Sequence, residues 1–142
     1  MAVDSDTPSN RNKQKGYIRA MTEQGIAKKD ILLYTAVNKE FTNPRDVRAA
    51  GAKLTEHILT ERPETDGIIY TTDLLAIGGL EAAKKMGKRI PEELAIMGVD
   101  NTMYGEIVTP KLSSLDNKLV EVSQNASRAI LDALIKKKCP IK

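Results

Sequence analysis

The chain has no tryptophan and a single phenylalanine. Single-stranded nucleic acid therefore has little to stack on. One cysteine, Cys139, cannot form an internal disulfide, which fits a reducing compartment such as the cytoplasm. One histidine, His57, leaves His/Cys zinc sets without partners and gives Ser–His–Asp or Cys–His catalysis little to draw on. No apolar run approaches membrane-spanning length, and the first dozen residues are polar, unlike a signal peptide. Twenty-two lysines and arginines against 19 acidic residues leave a net charge of only +3. That excess is too small to argue for nucleic-acid binding. Much of it sits near the ends, in Arg11–Lys15 and Lys136–Lys138, where lysine clusters read as solvated tails. Phosphate-loop, dinucleotide-binding and nucleophile-elbow motifs are all absent. The paired carboxylates Glu92 and Glu93 follow Pro91 on a solvated turn. No enzyme, no cofactor and no metal are expected.

What is present is a regular alternation of helix and strand. Residues 1–10 read as a loop. A helix follows from about Asn10 or Arg11 to Gln24, with Tyr17, Ala20 and Met21 facing inward and Gly25 as its cap. Ile31–Tyr34 reads as a buried strand, and Thr35–Thr42 as a long loop of the kind that is either functional or a plain surface insertion. Asn43-Pro44-Arg45-Asp46 is a strong helix start: capping Asn, Pro at the first position, Asp in the first turn. Val47, Gly51, Leu54 and Ile58 mark one face of that helix, with Gly51 expected to pack closely on a neighbour. His57 lies just off that face, as a boundary or surface side chain.

The organising stretch is Asp66–Asn101. Ile68, Ile69 and Tyr70 form a short β-rich run. Thr72 and Asp73 can accept hydrogen bonds at a helix start, and Leu75, Ala76, Gly79, Leu80, Ala83 and Met86 recur at helical spacing until Gly87. A second buried strand, Leu94–Val99, stops at Asp100-Asn101. This is a βαβ unit, so its strands should be parallel neighbours. After a loop from Thr102 to Lys111, a short strand (Leu112–Leu115) and an amphipathic helix (Leu119 to about Lys136) complete the order α–β–α–β–α–β–β–α. Strands that should flank the outer helices are missing, which suggests part of a larger protein.

In open parallel sheets, ligands bind beyond the carboxyl ends of the strands. Those ends carry Thr72, Asp73, Asp100, Asn101, Asp116 and Asn117. Such small polar groups suit a hydroxyl- or amide-rich ligand. The competing role is capping and turn formation, favoured for Asp73, whereas Asp100 directly follows a buried strand and is favoured as a ligand contact.

Four runs together resemble the effector-binding core of the lactose-repressor family of bacterial transcription regulators. They are G-Y-x-x-A-M-x-x-x-G-I (Gly16–Ile26), T-D-L-L-A-I-G-G-L (Thr72–Leu80), R-I-P-E-E-L-A-I-M-G-V-D-N-T (Arg89–Thr102) and T-P-K-L-S-S-L-D-N-K (Thr109–Lys118). The resemblance implies two α/β lobes of the periplasmic-binding-protein-like type hinged about a small ligand. Residues 1–116 would be mainly the C-terminal lobe, an open parallel sheet flanked by helices. Residues 117–142 would be the crossover and a helix of the N-terminal lobe, and no DNA-binding headpiece would lie in this chain. The resemblance places ligand contacts at Asp100, Thr72, Lys13, Asn117, Asp73 and Phe41. Lys13 stands where many members carry arginine, and a lysine lacks the planar fork that grips carboxylates. A homodimer through Leu75, Gly78, Gly79, Ala82, Met103 and Tyr104 is implied too, although the apolar ones among them would serve equally as internal core. The implied function is sensing of a small molecule, a sugar or sugar phosphate, by a cytoplasmic repressor. A solute-binding protein for transport, an enzyme on a flavodoxin-like sheet and a purely structural dimerisation piece are the rivals.

Overall fold

The computed structural model describes residues 2–3, 7–35 and 43–135. Its elements are β1 (Ala2–Val3), α1 (Pro8–Glu23), β2 (Tyr34–Thr35), α2 (Pro44–Glu61), β3 (Gly67–Ile69), α3 (Asp73–Lys85), β4 (Ala95–Val99), α4 (Tyr104–Ile107), β5 (Ser113–Leu115) and α5 (Leu119–Ile135). β3, β4 and β5 form a parallel sheet in that order, with Ile68 opposite Ile96 and Gly98 opposite Ser114. β1 and β2 form a separate parallel pair. The α/β class with a helix-flanked parallel sheet is the one the sequence pattern predicts.

Local chemistry explains most boundaries. Asn43 caps α2 by accepting from the backbone N–H groups of Arg45 (2.9 Å) and Asp46 (3.2 Å), with Pro44 at the first position. Gly87, at φ +81°, ends α3 by donating its N–H to the Lys84 carbonyl. α1 begins at Pro8, earlier than expected, because Thr7 accepts from the Asn10 N–H at 3.2 Å and proline tolerates the first helical position. The expected strand Ile31–Tyr34 is mostly irregular. A 3₁₀ turn at Lys28–Asp30 precedes it, and only Tyr34–Thr35 pairs, with β1 inside the stretch expected to be loop. Two-residue strands leave no periodic mark in a sequence. Nor does the single turn of α4, which lies inside the expected loop Thr102–Lys111. Phe41, Lys136–Lys138 and Cys139 lie outside the described residues.

The core lies between α2, α3 and one face of the sheet. Leu54, Ile58 and Leu59 meet Leu75, Ala76, Leu80 and Ala83 over Ile68, Tyr70 and Ile96. The two helices approach backbone to backbone. A Cβ on Gly51 would overlap the Leu75 carbonyl, one on Gly78 the Arg48 carbonyl, and one on Gly79 the Tyr70 ring and hydroxyl. Tyr70 is fully buried, shares a 2.6 Å hydrogen bond with the Thr55 hydroxyl, and has its phenol pushed well above the ordinary range by burial. Gly51 thus packs closely, as its position predicts. His57 is exposed, with its ring edge-on to Tyr34.

This packing corrects part of the expected dimer surface. Leu75, Gly78, Gly79 and Ala82 are buried within the chain itself, so they present no face to a second copy. Met103 and Tyr104 remain exposed. The opposite face of the sheet carries Ile69 and Met97, which line a groove of about 510 Å³ below Tyr17 and Met21 of α1.

Candidate functional site

Beyond the carboxyl ends of β3, β4 and β5, three chain segments converge. Asp73 is their common anchor. It is only 1% exposed, although it sits in the first turn of α3. Its Oδ2 accepts from the Thr102 N–H (2.6 Å) and hydroxyl (2.9 Å), and its Oδ1 accepts from the Ser114 hydroxyl (2.5 Å). Ser114 Oγ in turn accepts from the Asn101 N–H at 3.0 Å. A buried carboxylate needs such donors, because an unpaired one is expensive in a dry interior. The favoured capping role for Asp73 is therefore corrected. Thr72 is the N-cap, its hydroxyl accepting from the Leu75 N–H at 3.4 Å, and the Asp73 carboxylate is spent on holding β4 and β5 to α3. Its burial and its three donors also take it away from any ligand, so it supports the site from beneath.

Above this anchor lies Asp100. Its backbone is left-handed, at φ 109°, and Asn101 follows at φ 49°. Aspartate and asparagine tolerate such geometry better than other residues with a Cβ, which is one reason for their use here. The Asp100 N–H is fixed on the Leu115 carbonyl at 2.9 Å. Its Oδ1 accepts from Asn117 Nδ2 at 2.7 Å and lies 3.7 Å from Lys13 Nζ. Lys13 also donates to the Thr71 carbonyl at 2.7 Å. Burial raises the Asp100 pKa above the usual carboxylate range. The nearby Lys13 charge works against this, and the Asp73 charge adds to it. Asp116 is held the other way, below its usual range, by the Lys118 N–H it accepts from at 2.7 Å.

The structure thus brings Lys13, Asp100 and Asn117 into one chain of contacts beside Thr71 and Thr72, although they come from α1 and two loops. Lys13 and Asp100 are partly accessible, with side chains 21% and 29% exposed, so the cluster borders solvent. The sequence reading missed Ser114 and Thr102. Thr102 lies three residues beyond the end of β4, and Ser114 is one of two adjacent serines inside β5, so nothing local in the sequence singled out either. Among the described residues, no group of three His, Cys, Asp or Glu side chains is placed to hold a metal ion. No helix among them is long and apolar enough to cross a membrane. The arrangement offers charged acceptors, hydroxyls and an ammonium at a solvent-bordering surface, which suits recognition of a polar molecule.

The likeness to known proteins agrees in fold and in extent. The family model described as periplasmic binding protein-like domain matches residues 1–141. The ribose operon repressor of Halalkalibacterium halodurans is 33% identical over 60% of this chain and 26% of its own length. A LacI-family transcriptional regulator from Arthrobacter sp. FB24, solved in complex with lactose, superposes with a TM-score of 0.78 at 28% identity, over 99% of this chain and 50% of that one. A sugar-binding LacI-family regulator from Escherichia coli, solved with phosphate, gives 0.73 at 25% identity, over 87% and 42%. The chain therefore spans half or less of the length of these relatives. With this fold, these strand-end groups and a match across nearly all of its residues, the chain belongs to the periplasmic binding protein-like domain family, and its likeness within that family is to regulators of the lactose-repressor type.

Proposed function

We propose that residues 1–142 form the ligand-contacting C-terminal lobe, with a crossover from residue 117, of the effector-binding domain of a cytoplasmic transcription regulator. The observation that supports this is the Lys13–Asp100–Asn117 cluster at the strand ends, the position at which open parallel sheets in general bind ligands. Thr72 borders it, and Phe41 belongs to the same proposed contact set. The effector is a small molecule of the sugar class. It acts by favouring one of two lobe arrangements, which sets the DNA affinity of a headpiece outside these residues. The role is binding rather than catalysis. The relatives named above support this, being regulators solved with lactose and with phosphate. α5 supports the assignment of residues 117–142 to another lobe, because none of its residues is buried against the rest of the chain.

Self-association through Met103 and Tyr104, 73% and 48% exposed, belongs to the same reading. Sedimentation equilibrium checks it, and a strictly monomeric chain at titration concentrations rules it out.

The direct test is calorimetric titration of the chain with pentoses, hexoses and disaccharides, beside an Asp100→Asn variant. Asparagine keeps an acceptor for Asn117 and tolerates the left-handed backbone, so it removes charge with little strain. A sugar that binds the parent and binds the variant about tenfold more weakly, the loss of roughly one charge-assisted hydrogen bond, is the expected result. Equal binding by both removes Asp100 from the site.

A further inference from the structure

Beyond β5 the chain turns out of the sheet and into α5, and two side-chain pairs stand at that turn. The segment after β4 supplies Asp100 and Asn101, and the crossover supplies Asp116 and Asn117. Asn117 Nδ2 donates to Asp100 Oδ1 at 2.7 Å. The Asn101 side chain donates the other way, to the Asp116 carboxylate. Each segment thus gives one acceptor and one donor, and the exchange has a single register. A slip by one residue would set Asp100 against Asp116, two like charges, and Asn101 against Asn117.

What lies on either side gives these pairs their weight. The Asp100 N–H on the Leu115 carbonyl, at 2.9 Å, is a backbone tie at the very end of β5. Past it, Asp116 accepts from the Lys118 N–H at 2.7 Å and lies 3.2 Å from Lys118 Nζ, but both contacts are internal to the turn and travel with it. Lys118 stands in the left-handed region, at φ 54°, which a residue with a Cβ keeps when its surroundings hold it there. α5 begins at this point, with the Val122 N–H on the Lys118 carbonyl at 2.9 Å, and none of its residues is buried. Packing therefore does not fix the direction in which α5 departs. The two Asp–Asn pairs tie the turn to the body and are placed to do so. Asn117 is half-buried and Asn101 exposed, so the Asn117–Asp100 bond is the stronger of the two.

We propose that Asp100–Asn117 and Asn101–Asp116 form a clasp that sets the direction in which α5 leaves the sheet. On the effector-site reading above, the carboxylate offered to the small molecule is then also the one that aims the next lobe. The test uses the 142-residue chain without ligand. Amide dipolar couplings in a weakly aligned sample report the direction of α5 against α2 and α3, and hydrogen exchange reports its first turn. In the parent, one alignment should fit all three helices. In Asn117→Ala the α5 couplings should shrink while those of α2 and α3 hold. Exchange at the Val122 amide should rise about tenfold, the loss of one hydrogen bond to a charged group. Asn117→Asp should loosen α5 further, because it sets a carboxylate against Asp100. Combining it with Asp100→Asn exchanges donor and acceptor, and should return both readouts to within about twofold of the parent, as expected for a restored bond of the same kind. Asparagine at position 100 keeps the left-handed backbone. Unchanged α5 couplings in both single variants overturn the clasp, as does a parent in which α5 follows its own alignment. A combined variant as loose as Asn117→Asp overturns it too. Should a single variant lose protection in α3 as well, the combined variant decides. None of these readouts involves a ligand, so a chain that binds no sugar removes the effector site and leaves the clasp to be judged by itself.

Discussion

α3 and α5 are both apolar-rich helices, of 13 and 17 residues, and they have opposite fates. Nine of the thirteen residues of α3 are buried. None of α5 is, and Leu119, Ile130 and Leu134 stand 60%, 62% and 71% exposed. The difference lies less in how apolar they are than in how closely a neighbour can approach. α3 carries Gly78 and Gly79 where α2 and Tyr70 press against it, while Gly51 makes the matching gap in α2. α5 carries no glycine, and its apolar side chains follow one stripe. Small residues let a helix disappear into its own chain. A stripe of large ones marks a helix built to cover another surface.

The sharpest way to break this contrast is Gly78→Ala. Alanine gains about 1 kcal/mol in helix propensity. That gain is overwhelmed, because the added methyl overlaps the Arg48 carbonyl, a backbone atom that cannot step aside. We expect a net loss of about 3 kcal/mol, the upper part of the overpacking range, read as a lower urea midpoint. A neutral result would mean that α2 and α3 stand further apart than described.

Next in size is Asp73→Ala, which strands the Thr102 and Ser114 donors and should cost roughly 2 to 3 kcal/mol. Hydrogen exchange at the Thr102 amide is the local readout, and unchanged protection there would remove Asp73 as the anchor.

The smallest effect belongs to the other region. Ile130→Glu on α5 should move stability by no more than about 0.5 kcal/mol, as for a surface site. A large loss in the urea midpoint would show that the α5 stripe is already covered in solution.

Much of the central unit was legible because its signals are local. Asn43-Pro44, Thr72 and Gly87 are punctuation that needs no tertiary context, and the βαβ order follows from them. The register that lays Asp100 beside Asn117 follows from strands ending where their apolar runs end. Helix faces were harder. Leu75, Gly78, Gly79 and Ala82 look the same in sequence whether they meet α2 or a second molecule, since periodicity identifies a face without identifying its neighbour. The role of Asp73 was illegible for a related reason. A first-turn aspartate favours its own helix by default, and only the long-range donors Thr102 and Ser114 decide otherwise. β1 and β2 are too short to alternate.

The Asp73 anchor has a consequence for time as well as for structure. The first turn of α3, the segment after β4 and the strand β5 are joined at one carboxylate, which ties the strand ends to the helix. The ordering of Asp100 and its neighbours is completed during folding, before any ligand arrives. A small molecule docking there has only its own freedom to lose, together with that of whatever closes over it. Under the proposed function, such a site would fill without first waiting for its own walls to assemble.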